Sequence, residues 1–221
     1  MKKTFLALAF GLSFGALQAQ EAGSWLIQGG LTRIAPNVSS GNLSAPAPVG
    51  TQVDVKSDIE PTAQVTYMLD DHWAVAVPLG LGFKHKIVGA GGIAGTGEIG
   101  KVKALPAGAF MQYRWGEAND RFRPYGMLGL NYAIFYGAQG SAALSGMNPI
   151  NPPGGGTGLK VDSRWGVSPG LGLVSQLDNG WFIDVSWALT LLKTQATLST
   201  GQTIDTRLNP SVLNLSLGKR F

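Results

Sequence analysis

The side chains best suited to acid–base or metal chemistry are two histidines, His72 and His85, and the chain has no cysteine. A metal centre of nitrogen and sulfur ligands is normally built from several such residues, so no metal site is expected. His72 follows Asp70 and Asp71 between apolar runs. Aspartate favours turns because its carboxylate accepts hydrogen bonds from nearby backbone N–H groups, and a solvated turn explains this trio better than a ligand set. His85, a loop serine and Glu98 have the makeup of a base, a nucleophile and an acid. Such catalysis needs a base oriented by a third group, and nothing in the spacing aligns them. Gly89-Ala90-Gly91-Gly92-Ile93-Ala94 has the letters of a dinucleotide-binding turn, but that turn must open a helix, and small residues follow instead. No catalytic residue and no cofactor is assigned.

The elements that carry these residues follow from export. Met1-Lys2-Lys3 is a basic start, Thr4 to Leu17 is mostly apolar, and Leu17-Gln18-Ala19 ends in a small residue. This is the pattern of a secretory signal peptide over 1–19, leaving 20–221 as a single domain. The 17 basic residues include Lys2 and Lys3, so the remainder carries 15 against 13 acidic ones. A near-neutral chain without a clustered basic face gives no reason to expect nucleic acid. No segment after the leader is apolar for the length of a membrane-crossing helix. Yet charged residues make up only 14% of the chain, well under the usual ~25%. A surface with so little charge is suited to lipid.

Period two then decides the architecture. Trp181, Ile183, Val185, Trp187, Leu189 and Leu191 alternate with Phe182, Asp184, Ser186, Ala188 and Thr190. A helix would bring Asp184 into the apolar stripe. Extended to the whole chain, the alternation gives strands at 25–34, 59–69, 73–87, 101–115, 123–138, 160–176, 181–198 and 204–221. Short turns alternate with mostly longer links, as in an outer-membrane barrel with periplasmic turns and extracellular loops. The expected fold is therefore all-β: an eight-stranded antiparallel transmembrane β-barrel. Trp25, Trp73, Trp115, Trp165 and Trp181 stand near strand ends, where interfacial aromatics belong, while Trp187 reads as mid-strand. A secreted β-sandwich shares the alternation but does not need so little charge.

The inward phase carries the candidate sites. Gln112, Arg114, Asp184 and Arg220, with Tyr125 beside them, would form a polar base near the periplasmic end, where opposite charges should pair and close the barrel. Above it, Ala76, Pro78, Pro106, Phe110, Phe135, Ala188 and Leu192 would line an apolar lumen, with Lys84 an inward exception near the rim. An interior of this size holds side chains or one small ligand; the inward glycines favour space. Pro78 and Pro106 lack a ladder donor. A hairpin centred on Gly92 sets them opposite one another, with Gly80 and Gly108 adjacent, as a weak lateral seam.

Tyr67-Met68-Leu69-Asp70-Asp71-His72-Trp73, Phe83-Lys84-His85-Lys86-Ile87, Lys103-Ala104-Leu105-Pro106-Ala107, Phe122-Arg123-Pro124-Tyr125, Asp162-Ser163-Arg164-Trp165-Gly166 and Gly218-Lys219-Arg220-Phe221 occur in this order. In order and spacing the set resembles the OmpW family of small outer-membrane proteins; the outer loops, above all 147–157, depart most. The resemblance implies a narrow, largely hydrophobic lumen and passive passage of small hydrophobic molecules across the bacterial outer membrane. The expected partners are those molecules, outer-membrane lipid, and the barrel assembly machinery through the strand ending at Phe221. A receptor or structural barrel with a filled interior, and an outer-membrane lipid-modifying enzyme using His85, are the alternatives.

Overall fold

The alternation closes on itself. The structure, a computed structural model, describes residues 20–147 and 157–221; the expected signal peptide and residues 148–156 of the outer loop lie outside the described residues. In chain order the strands are β1 (Trp25–Ala35), β2 (Ser39–Ser40), β3 (Thr51–Val55), β4 (Asp58–Met68), β5 (Trp73–Gly80), β6 (Phe83–Gly91) and β7 (Glu98–Arg114). Then follow β8 (Phe122–Gly140), the short helix α1 (Ala142–Met147), β9 (Leu159–Val161), β10 (Arg164–Gln176), β11 (Trp181–Leu189), β12 (Lys193–Leu198), β13 (Thr203–Arg207) and β14 (Ser211–Arg220). The wall runs β1-β4-β5-β7-β8-β10-β11-β14 and returns to β1, all antiparallel. It is the expected barrel of eight strands. Closure gives every wall strand two neighbours, as backbone in lipid requires, with one local break in the ladder between β5/β6 and β7. At the seam of the two termini, Phe221 and Trp25 exchange backbone N–H···O bonds of 2.8 and 2.9 Å.

Several strands expected as single runs are interrupted. The stretch 73–87 breaks at Leu81-Gly82, where Gly82 takes φ +90°. That conformation suits glycine because a side chain there meets steric opposition. The runs beginning at 160, 181 and 204 each divide into two strands. Their outer pieces, β9, β12 and β13, join β2 in a separate four-stranded sheet above the wall. The short turn at 199–202 thus caps a hairpin that has already risen past the membrane. The link 35–58, expected as loop, contains β2 and β3, and β3 pairs with β6.

The outward face is apolar: Leu31, Leu128, Leu130, Leu171 and Leu215 are each more than half exposed. Lipid contact makes such a surface favourable. Aromatic side chains gather at its periplasmic edge, with Trp25 on Tyr67 at 4.8 Å and Trp73 on Tyr113 at 5.0 Å between ring centroids. Lys219 reaches over the Trp181 ring there, 5.5 Å from its centroid, consistent with interfacial snorkelling. Trp187 corrects the sequence reading. Because β11 stops at Leu189, Trp187 lies near a strand end, and its Nε1–H donates to Ser211 Oγ at 2.8 Å.

Candidate functional site

The interior divides into a packed base and an open upper cavity. At the base, Arg114, Gln112, Tyr125 and Asp184 are buried, as the inward phase requires. Arg114 Nη1 donates to Gln20 Oε1 at 2.5 Å, and its Nη2 donates to Gln112 Oε1 at 3.0 Å. Its guanidinium also lies over the Tyr125 ring. The Tyr125 hydroxyl donates to Asp184 Oδ2 at 2.9 Å. The expected pairing of opposite charges is corrected here: none of Arg114, Asp184 and Arg220 makes an ion pair within 4.0 Å among the described residues. Neutral amides and a phenol intervene, and Arg220 reaches Gln176 Oε1 at 3.4 Å. The sequence reading missed Arg123 and Gln20, both buried. Arg123 Nη1 donates to Gln20 Oε1 at 3.3 Å, and its Nη2 donates to the Asp71 carbonyl. Its inward phase with Tyr125 was the available signal.

The glycines below the cavity are occupied. A Cβ at Gly129 would meet the Phe110 ring, one at Gly172 the Tyr125 ring, and one at Gly218 the Phe182 ring. Here, inward glycine admits a neighbour's aromatic ring and leaves little empty space. Ala76, expected to line the lumen, is fully buried in this filled zone and does not border the cavity. Polar side chains above it bond one another: Asn131 Nδ2 donates to Ser168 Oγ at 2.6 Å, and Asn214 Nδ2 to Thr32 Oγ1 at 2.8 Å.

Above this floor lies a cavity of about 240 Å³. Pro78, Pro106, Phe110, Phe135, Ala188 and Leu192 border it, as expected, together with Gly80. Its upper wall includes Ile87, Ile99 and Val102, packed with Val53 and Val55 from the unexpected β3. Lys84 is absent from it. The break at Leu81-Gly82 shifts the alternation by one, so Phe83, His85 and Ile87 point inward and Lys84 outward. A one-residue slip exchanges the two faces of a strand.

His85, Glu98 and His72 separate in space. His85 is buried beside the cavity, its Nδ1 2.9 Å from the Lys56 carbonyl. Glu98 instead pairs with the outward Lys86 at 3.2 Å, so the two do not form one catalytic set. His72 stays in its turn, where Asp70 Oδ1 accepts from the N–H groups of Trp73 and His72. Those two backbone donors, Trp73 first, hold the Asp70 carboxyl below its usual range. Gly89–Ala94 leads from β6 into β7 through a turn.

The feature that most distinguishes this wall is a gap. β5 pairs with β7 from Trp73↔Tyr113 to Ala76↔Phe110, and pairing resumes only at Phe83↔Ala104 between β6 and β7. Val77–Gly82 face Leu105–Ala109 without a ladder. Both sides keep their other neighbours: Val77–Gly80 pair with β4, and Leu105–Ala109 pair with β8. The prolines fall in the gap, but their expected register is corrected. Continuing the β5–β7 register sets Pro78 against Gly108 and Pro106 against Gly80, so the prolines are staggered. Gly80 borders the cavity; Gly108 does not, lying against Leu130 and Asn131. Ala63, Leu79 and Leu105, all in the outward phase, also border the cavity.

An eight-stranded wall with a polar base and an apolar upper cavity narrows the comparison to small outer-membrane barrels. The sequence profile of the OmpW family matches residues 21–221. The chain belongs to the OmpW family. It is 31% identical over 229 residues to outer membrane protein W of Vibrio cholerae serotype O1 (strain ATCC 39315 / El Tor Inaba N16961), covering 100% of both chains. It superposes on the crystal structure of OprG from Pseudomonas aeruginosa with a TM-score of 0.81 and 26% identity, covering 92% of this chain and 99% of that one. A more distant relative is the dibenzothiophene metabolism operon protein PahQ of Pseudomonas aeruginosa, 23% identical over 205 residues, with 91% of this chain and 90% of that protein covered. This OmpW-family barrel is a protein of the bacterial outer membrane, and its own short turns and paired termini at the base match the periplasmic end of such barrels.

Proposed function

We propose that this barrel passes small hydrophobic molecules from the cell exterior into the outer membrane by a sideways route. The molecule occupies the apolar upper cavity, is stopped by the hydrogen-bonded base, and leaves between β5/β6 and β7. The observation that carries this reading is the ladder gap at Val77–Gly82 and Leu105–Ala109, beside which Leu79 and Leu105 border the cavity. The packed base supports lateral rather than axial passage, because a charged or water-filled path would have to cross Arg114, Tyr125 and Asp184. Descent from lipid-like cavity to lipid costs an apolar solute little, since neither side hydrates it. The name of the PahQ relative, tied to dibenzothiophene metabolism, is consistent with an aromatic hydrophobe.

The route can be closed chemically. The chain has no native cysteine, so a Leu79→Cys/Ala107→Cys pair bridged by a short dithiol-reactive linker would staple the gap. Proteoliposomes holding the native protein should take up naphthalene faster than empty vesicles. The bridged pair should lose that gain, and the unbridged pair should keep it. Unchanged uptake after bridging overturns the lateral route; no uptake by the native protein favours a receptor or structural barrel.

A further inference from the structure

Above the gap, the outward face of β6 and β7 changes from apolar to basic. On β7 the outward side chains run Tyr113, Met111, Ala109, Ala107 and Leu105, then Lys103 and Lys101. Lys103 stands ten positions from Tyr113, a rise of roughly 25 Å along the bilayer normal at ordinary strand rise and barrel tilt. That is the height of the apolar band, so the lysines stand at the outer headgroup level.

Their pairing is unusual. Lys84 lies directly opposite Lys103, and Lys86 opposite Lys101. Like charges directly opposite in a sheet repel. Carboxylates answer only the β6 side: Lys84 Nζ is 3.4 Å from Glu60, and Lys86 Nζ 3.2 Å from Glu98. Lys56, next to Lys86 through a 2.9 Å backbone bond, is paired with Asp54, and Asp58 accepts from the Lys84 N–H. Lys101 and Lys103 have no carboxylate within 4.0 Å among the described residues; Lys103 lies over the Tyr136 ring. The same arrangement recurs on another part of the outer rim, where the exposed Lys193 and Arg207 are directly opposite and likewise lack a carboxylate partner. By contrast, the periplasmic turns carry Asp70, Asp71, Glu117, Asp120 and Asp178.

We infer that Lys84, Lys86, Lys101 and Lys103 form a binding site for the phosphate groups of the phosphorylated glycolipid of the outer leaflet. The phosphates supply the negative charge that the sheet lacks, with Lys101 and Lys103 as principal donors. The acyl chains would lie along Leu105, Ala107 and Ala109, beside the gap. The inference rests on the outer-membrane location and stands whether or not a hydrophobe passes through the barrel.

The test uses purified full-length mature barrel in detergent, with native mass spectrometry reading bound lipid. Bis-phosphorylated lipid A, the same lipid stripped of phosphate, and phosphatidylglycerol are the probes. Lys101→Gln/Lys103→Gln should weaken bis-phosphorylated lipid A binding about 30-fold, taking each interfacial lysine as about a fivefold effect. Lys101→Arg/Lys103→Arg should bind near the native level, and the heat-dependent gel shift should verify folding of every variant. Dephosphorylated lipid should bind the native and the Gln variant alike, and weakly. Equal binding of bis-phosphorylated lipid A by the native and Gln proteins would overturn the inference. So would equal competition by phosphatidylglycerol, which would make the site a general phospholipid contact.

Discussion

The Tyr136 hydroxyl donates to the Leu81 carbonyl at 2.9 Å, reaching from β8 across β7 to the bend between β5 and β6. Leu81 is 85% exposed on the lipid side, where an unpaired carbonyl is costly. Tyr136 thereby fixes one rim of the gap. A Cβ on Gly82 would also collide with its hydroxyl. Tyr136→Phe should leave the barrel folded, lower its resistance to denaturant by about 1–3 kcal/mol, and speed naphthalene uptake by loosening that rim. Uptake no faster than native, with the same denaturation midpoint, would show that the bond does not hold the bend.

Pro78 and Pro106 stand within the unpaired stretch, though not opposite each other. Pro78→Ala/Pro106→Ala restores two backbone donors and should permit part of the ladder to close. Slower hydrophobe uptake with an intact heat-dependent gel shift is expected. Native uptake by the double variant would assign the gap to the Leu81-Gly82 bend alone.

The base should resist ions. Arg114, Arg123, Tyr125 and Asp184 are each no more than 1% exposed, so planar-bilayer recordings should show little or no steady conductance. Asp184→Ala removes the acceptor of the Tyr125 hydroxyl and should lower stability by about 1–3 kcal/mol. A large ohmic pore in the native protein would contradict the closed base.

The side-chain oxygen of Gln20 accepts from two buried arginines, and its backbone N–H donates to the Ala118 carbonyl at 3.1 Å. Cleavage after Ala19 would make this residue the mature amino terminus. Mass analysis of outer-membrane protein should find a chain starting at Gln20. Gln20→Ala should lower the midpoint of unfolding, since two guanidinium groups lose their common acceptor.

Phe221 closes the terminal seam through Trp25 while its side chain stays about half exposed. We propose that the assembly machinery reads this exposed ring. Deleting Phe221 should reduce the amount of heat-shifted barrel in the outer membrane. In detergent refolding, without that machinery, the loss should be much smaller; an equal loss in both would assign Phe221 to stability alone.

The sequence alone determined the quantities that depend on one strand at a time. Alternation identified the eight wall segments, the lipid face of Trp181–Leu189, the inward Arg114 and Asp184, and the two strand prolines. These follow because side chains of an extended chain alternate wherever the strand goes. Tertiary structure decided what depends on pairing between strands. The bend at Leu81-Gly82 turned Lys84 outward and brought it opposite Lys103. Register staggered Pro78 and Pro106 and opened the wall beside them. Phe110 and Tyr125 filled the space that Gly129 and Gly172 had suggested was empty, and Gln20, ahead of β1, reached the base. Each outcome rests on hydrogen bonds and packing between residues far apart in sequence; period two along a strand keeps apolar faces together but does not choose among registers that differ by two residues.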